Sequence, residues 1–129
     1  MALYHKATTT WIIAESDSLA QTLANRSTSK IEATDITELI ERRIAIPNGT
    51  SDLAIGFTGS DGMTTIKALQ IITDQPISVK INGGDTGIPI GHTAGESATL
   101  LLDATAITAL SVSNASGATA NVYFSMPGA

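Results

Sequence analysis

The stretch "DQPISVKINGG", residues 74–84, constrains the fold more than any other part of this chain. Ile77, Val79 and Ile81 alternate with Ser78 and Lys80, between a Pro-containing turn and a Gly-rich one. A period of two places alternate side chains on opposite faces, as a half-buried strand requires and a helix cannot accommodate. The same grammar recurs along the chain as short runs rich in Ile, Val and Thr, punctuated by Gly, Asn, Asp and Pro. "TTTWIIA" (8–14) reads as a strand, and so does "LAIGF" (53–57), which follows "PNGTSD", where Asn48-Gly49 readily takes positive φ. "SDGM" (60–63) turns into "IKALQIIT" (66–73), and Asp74-Gln75-Pro76 turns that into "ISVKIN". Asn82-Gly83-Gly84 leads to "GIPIG", which Pro89 confines to an edge or irregular strand.

The last third continues the pattern with "SATLLLD" (97–103), "ITALSVSN" (107–114) and "TANVYFSM" (119–126), the last two joined by "ASGA". In "ITALSVSN", Thr108, Leu110 and Val112 share one face, and Ile107, Ala109, Ser111 and Ser113 the other. Strands recurring at intervals of about 8–12 residues, with turn chemistry between them, specify an all-β fold. The expected architecture is an antiparallel β-sandwich or jelly-roll-like barrel of about seven to nine strands. Its core is expected at Ile13, Ile55, Phe57, Leu69, Ile71, Val79, Ile81, Leu101, Leu110, Val112, Val122 and Phe124. With aromatics at 4% of the chain, that core must be built from Ile, Leu, Val and Ala.

One segment admits two readings. "TDITELIERRIAI" (34–46) sets Ile36, Leu39, Ile40 and Arg43 at helical spacing, with Thr34 or Asp35 as a cap and Glu38 placed for a capping box. Ile40, Ile44 and Ile46 equally fit a strand, with Arg42 as the one polar residue on their face. The strand is favoured, because "RRIAIPNGTSDLAIGF" would make a hairpin around Asn48-Gly49; a short helix near 35–43 is the alternative. Residues 15–30, "ESDSLAQTLANRSTSK", are polar and weakly periodic and read as a loop. The organisation expected is an N-terminal strand or arm with a loop excursion over 1–30 and a sandwich over 31–129, one domain in all. A chain of 129 residues suits that size.

Charge and composition exclude several classes of function. A net charge of −5, with Arg42-Arg43 the only basic pair, disfavours phosphate backbones and acidic membrane surfaces, so neither nucleic acid nor membrane is an expected partner. The absence of cysteine removes disulfide frameworks, thiolate metal sites and cysteine nucleophiles. The amino terminus lacks the basic start and the apolar core of about 7–15 residues that mark a signal peptide. No apolar run approaches the ~20 residues of a membrane-spanning helix. The expectation is a soluble chain made in a cytoplasm.

Catalytic patterns are equally sparse. His5 and His92 lie far apart, and His92, in "PIGHTAGES" near Glu96 and Ser97, has no nucleophile-elbow pattern around it. The carboxylates are scattered, and with one Trp in the chain a sugar-stacking groove is poorly supplied. "GSDG" and "GGDTG" lack the ligand order of calcium loops and read as turns, although a calcium site assembled from dispersed aspartates would leave no trace in spacing. Sequons at Asn25, Asn48 and Asn114 read as turn chemistry or chance in a Ser/Thr-rich chain. No enzyme activity, cofactor or metal is expected.

The run "ITDQPISVKINGG", followed by a Gly/Pro-containing edge and "LLLDATAITALSVSNASGATANVYFSM", resembles small virion proteins of tailed bacteriophages across residues 45 to 126. The shared pattern is a strand and turn of the form D-x-P-(hydrophobic)-x-V-x-(hydrophobic)-N-G, followed by a Ser/Thr-rich hairpin. This resemblance implies a jelly-roll-like or sandwich module used as capsid decoration (cement), or in the neck or tail, with no catalytic or cofactor residue. It implies the major capsid protein or another virion protein as partner, a homo-oligomer, and location in the virion. A lectin-like sandwich recognising a cell-surface glycan is the alternative, disfavoured by the scarcity of aromatics. Among strand edges, "ATTTWIIA" carries neither Pro nor inward charge and therefore invites pairing. Residues 1–14 are expected to contact another subunit or the shell, with Tyr4, Trp11 and Ile12, together with Arg42 and Arg43, as the partner-binding residues.

Overall fold

A computed structural model describes residues 5–14, 22–32, 36–57, 62–84, 86–102 and 105–129. Ten strands occur among them, every pairing antiparallel. The first two, β1 (His5–Ala14) and β2 (Thr22–Glu32), form a ribbon of their own, in register from His5↔Glu32 to Ala14↔Thr22 with an irregularity after Ile13. The loop expected over 15–30 is thus corrected: from Thr22 onward that segment is strand.

The remaining strands are β3 (Glu38–Ile46), β4 (Thr50–Ala54), β5 (Leu69–Thr73), β6 (Ile77–Ile81), β7 (Ile88–Ile90), β8 (Ala98–Leu102), β9 (Leu110–Asn114) and β10 (Ala120–Gly128). They lie in two four-stranded sheets, ordered β3-β10-β5-β8 and β4-β9-β6-β7. The pairs β6·β7, β5·β8, β4·β9 and β3·β10 nest around the β6–β7 hairpin. Rolling that long ribbon up adds β5·β10 and β6·β9 and closes it into two facing sheets. This is the topology of a jelly roll.

Among β3 to β10, only the β6–β7 connection stays within one sheet; every other one crosses the sandwich. The hairpin expected around Asn48-Gly49 is therefore overturned: β3 and β4 belong to different sheets. The turn itself is as expected. Thr50 N–H donates to Pro47 O at 3.3 Å, and Gly49 takes φ +87° at the position where such a turn needs positive φ. The helical alternative at 35–43 is also overturned, since β3 pairs with β10 along its whole length, from Glu38↔Gly128 to Ile46↔Ala120. Nine ladder positions outweigh a capping box and a helical spacing of apolar residues.

The core fills the space between the sheets. Ala120, Val122, Phe124 and Met126 alternate inward along β10 and meet Leu69 and Ile71 on β5, Val79 on β6, and Leu110 and Val112 on β9. Ile55 and Phe57 are buried just beyond β4, and Ile66 and Ile107 bridge each other outside the strands. Ile81 is half-buried against the core, and Ile13 lies on β1, whose side chains are outside the described part. Leu101 departs from expectation: at 37% exposure it sits on the outer face, while Leu100 and Leu102 turn inward.

The face assigned to Leu110 and Val112 is the buried one. Val112 has no exposed surface and pairs with Val79 and Leu53. Val112→Ala is expected to cost about 1–3 kcal/mol through lost burial and the cavity left behind. Equilibrium urea unfolding, read at an unchanged m-value, measures it.

Candidate functional site

Antiparallel register fixes which residues share the outer face of the β3-β10-β5-β8 sheet. Arg43, Tyr123, Ile72 and Thr99 form one row across all four strands. Ala45 and Asn121 form part of the next, and the turn after β5 brings Asp74 beside them. Between these rows lies an open depression of about 550 Å³, lined by Arg43, Ala45, Asp74, Ser97, Asn121 and Tyr123 among others.

Its polar groups are bonded to one another. The Asn121 backbone N–H donates to Asp74 Oδ1 at 2.7 Å, and Asn121 Nδ2 donates to Asp74 Oδ2 at 2.9 Å. Tyr123 OH donates to Glu41 Oε1 at 2.8 Å, and the Arg43 guanidinium carbon stands 5.6 Å from the centre of the tyrosine ring. The second contact is within cation–π range. These bonds set the ionisation of both groups. Hydrogen bonds from the Asn121 side chain and backbone hold the Asp74 carboxyl below its ordinary value, with desolvation opposing them. The bond to Glu41, reinforced by desolvation and the neighbouring negative charge, raises the Tyr123 phenol. The depression thus offers a fixed carboxylate, an oriented phenol ring and a guanidinium, an arrangement suited to binding a polar surface.

The linkage of Asp74 has a definite sign. Its folded pKa is depressed, so its contribution is present above the ordinary carboxylate value near 3.8 and is lost as pH falls through the lower folded value. Asn121→Ala is expected to return the Asp74 titration midpoint toward the ordinary value, as followed by carbonyl chemical shift. A midpoint unmoved by the substitution would contradict the pairing. The group is only half-buried, so solvent screening keeps the accompanying change in stability small.

Of the residues expected to bind partners, Trp11 and Ile12 lie on β1 and Arg42 and Arg43 on β3. Tyr4 lies outside the described residues. Trp11 and Ile12 stand opposite Arg26 and Asn25 on β2. Arg42 and Arg43 occupy adjacent positions on β3 and hence opposite faces. Arg43 belongs to the depression. Arg42, on the inner face at an open edge, donates from Nη1 to Gly56 O at 2.7 Å and ties β3 to the connection after β4. His92 is exposed in the β7–β8 loop, with Nδ1 3.3 Å from Thr93 Oγ1. Asn114, one of the sequons, is fully buried and bonded to backbone. Among the described residues, no group of three His, Asp or Glu side chains is placed to hold a metal ion.

Sequence reasoning did not single out Asp74, Asn121 and Tyr123 as a group. Tyr123 was detectable: alternation against Val122 and Phe124 places it on the outer face. The meeting of Asp74 and Asn121 was not, because they are brought together only by the β5·β10 pairing of the rolled ribbon. No protein-family model, curated protein or solved structure matches this chain.

Proposed function

We propose that this protein is a non-enzymatic structural component of a bacteriophage virion, a capsid decoration (cement) protein that binds the major capsid protein. Its likeness in pattern to small virion proteins across residues 45–126 supports this reading, as does the jelly-roll topology, an architecture that recurs in viral capsid domains. The observation that carries it furthest is the rolled ribbon itself, two facing sheets with short connections at the end formed by the 47–49, 74–76 and 115–119 turns. The β1–β2 ribbon pairs with neither sheet among the described residues. A two-stranded ribbon is marginally stable alone and gains most by lying against a second surface.

The test is to mix the purified full chain with undecorated particles and pellet them. The parent chain is expected to co-sediment to saturation, whereas Trp11→Ala and a chain lacking residues 1–10 remain in the supernatant. Co-sedimentation of both variants like the parent would move the contact surface elsewhere on the chain. A parent chain that never pellets with particles ends the reading.

A second reading, a lectin-like glycan-binding module, is favoured by one observation: the open depression pairs the Tyr123 ring with Arg43, Asp74 and Asn121. Binding to a glycan array that is lost in Tyr123→Ala, without particle binding, would select it.

A further inference from the structure

Four strands bound the two sheets: β3 and β8 on one, β4 and β7 on the other. An open edge presents unpaired backbone groups, and proteins guard such edges with charge, proline, bulges or short length. Three of the four edges here are guarded. β3 carries Glu38, Glu41, Arg42 and Arg43. The β4 ladder is broken between Thr50 and Leu53, where Asp52 takes φ +50° and pairs with Lys80 at 3.0 Å. β7 is three residues long with Pro89 at its centre. β8, "ATLLL", has no charge, no proline and no register break, and no strand pairs with its outer edge among the described residues.

The two sides of the sandwich differ in the same way. On the β3/β4 side the Arg42 guanidinium reaches across to Gly56 O. On the β7/β8 side no titratable residue lies on either strand, and Leu100 and Leu102 are only partly covered; each side exposes two large apolar residues, Leu39 and Leu53 on one and Ile88 and Leu101 on the other. β8 itself carries no charge, so two copies of a chain with net charge −5 can meet along it with the acidic residues Glu96 and Asp103 only at its flanks in the sequence.

We propose that the chain forms a two-fold homodimer in which β8 of one copy pairs antiparallel with β8 of the other, joining two four-stranded sheets into one of eight strands. Faces fix the register. Inner residues Ala98, Leu100 and Leu102 must stay opposite inner residues, and outer Thr99 and Leu101 opposite outer ones, since a one-residue slip would exchange the faces. The register that keeps all five positions paired is centred on Leu100, with Leu100 opposite its own copy and Thr99 opposite Leu101. Each exposed Leu101 is then covered by the other copy. This interface is independent of the virion reading and of what the dimer binds.

The absence of cysteine allows a direct test. Facing Cα atoms in an antiparallel pair are about 4.5–5.5 Å apart, within the span of a disulfide. Leu100→Cys in the full chain is expected to give a disulfide-linked dimer on mild oxidation, while Leu39→Cys, on the opposite edge strand, stays single on a non-reducing gel. The parent chain is expected to sediment as a dimer, and Leu101→Glu, at an exposed position, to weaken dimerisation by about tenfold or more with an unchanged circular dichroism spectrum. A parent chain that sediments as a monomer at high micromolar concentration overturns the proposal. So does crosslinking through Leu39→Cys with none through Leu100→Cys. Should Leu101→Glu fail to fold, the Leu100→Cys gel decides alone.

Discussion

Gly128→Ala is expected to destabilise this protein by about 3 kcal/mol or more, at the upper end of what overpacking costs, although it adds a single methyl group. A Cβ built on Gly128 would lie 2.1 Å from the Thr65 carbonyl oxygen, 2.8 Å from Met63 Sδ and 3.1 Å from Ile66 Cα. The sulfur can move with its flexible side chain, but the carbonyl and the Cα are backbone. The two segments are held together on both sides of the contact. Ala129 N–H donates to Thr65 O at 3.0 Å, Thr65 N–H donates to Ala129 O at 2.9 Å, and Ile66 bridges Gly128. Gly128 O also accepts from Thr37 N–H at 2.9 Å, which leads directly into β3. Relief of the clash must therefore separate the end of β10 from 63–66 and loosen the start of β3. Against a total stability of about 5–15 kcal/mol, this is a large fraction. Thermal unfolding measures the loss, and amide exchange should show it concentrated at Thr37, Thr65 and Ala129. A melting temperature equal to that of the parent would mean that 127–129 does not lie against 63–66.

Which segments become strands was legible because each half-buried strand writes its own alternation. β5, β6, β9 and β10 all do so, and Pro89 marks β7 as an edge from sequence alone. How the strands join was not. A turn such as Pro47–Thr50 needs the same positive φ at Gly49 whether it folds a hairpin or carries the chain to the facing sheet. The choice is made by pairings such as β3·β10, whose partners are most of a chain apart. β2 was unreadable for a different reason. Its segment "TLANRSTSKIE" carries no alternation of apolar and polar residues to detect. Leu101 was misplaced because three successive leucines encode no face, and at an edge either parity buries part of its set.

The candidate site was legible only in part, by the same logic. Tyr123 and Arg43 follow from alternation on β10 and β3, once β3 is recognised as a strand. Arg42 followed as the polar residue on an apolar face, and the structure supplies the reason it is tolerated: the inner face at a sheet edge lets its guanidinium reach Gly56 O. Asp74 has no local signal beyond its place in a turn, because its partner Asn121 belongs to the last strand.

Asn114→Ala is expected to cost about 3 kcal/mol, because it leaves the buried Ile46 carbonyl and the half-buried Ser116 N–H without their side-chain partner. Asn114 has no exposed surface, and its side chain is fully used. Nδ2 donates at 2.8 Å to both Ile46 O and Ala118 O, and Oδ1 accepts from Ser116 N–H at 3.0 Å. Its own carbonyl accepts from Gly49 N–H at 2.8 Å. One residue thus joins the end of β3, the turn into β4 and the turn between β9 and β10, so that both sheets meet on a single amide. Asn114→Asp separates hydrogen bonding from volume, since it preserves shape but replaces the two donated hydrogens with a carboxylate facing two carbonyl oxygens. Burial beside those dipoles raises the folded pKa of the introduced acid above its unfolded value. Its penalty is then greatest at neutral pH and shrinks as pH falls through the raised folded pKa, when the protonated acid regains one donor. Urea unfolding of Asn114→Asp at neutral and at mildly acidic pH, referenced to the parent at each pH, measures the effect. Equal penalties at the two values would show that the site is wetter than the geometry implies, and that Asn114 acts through its volume rather than through its two donors.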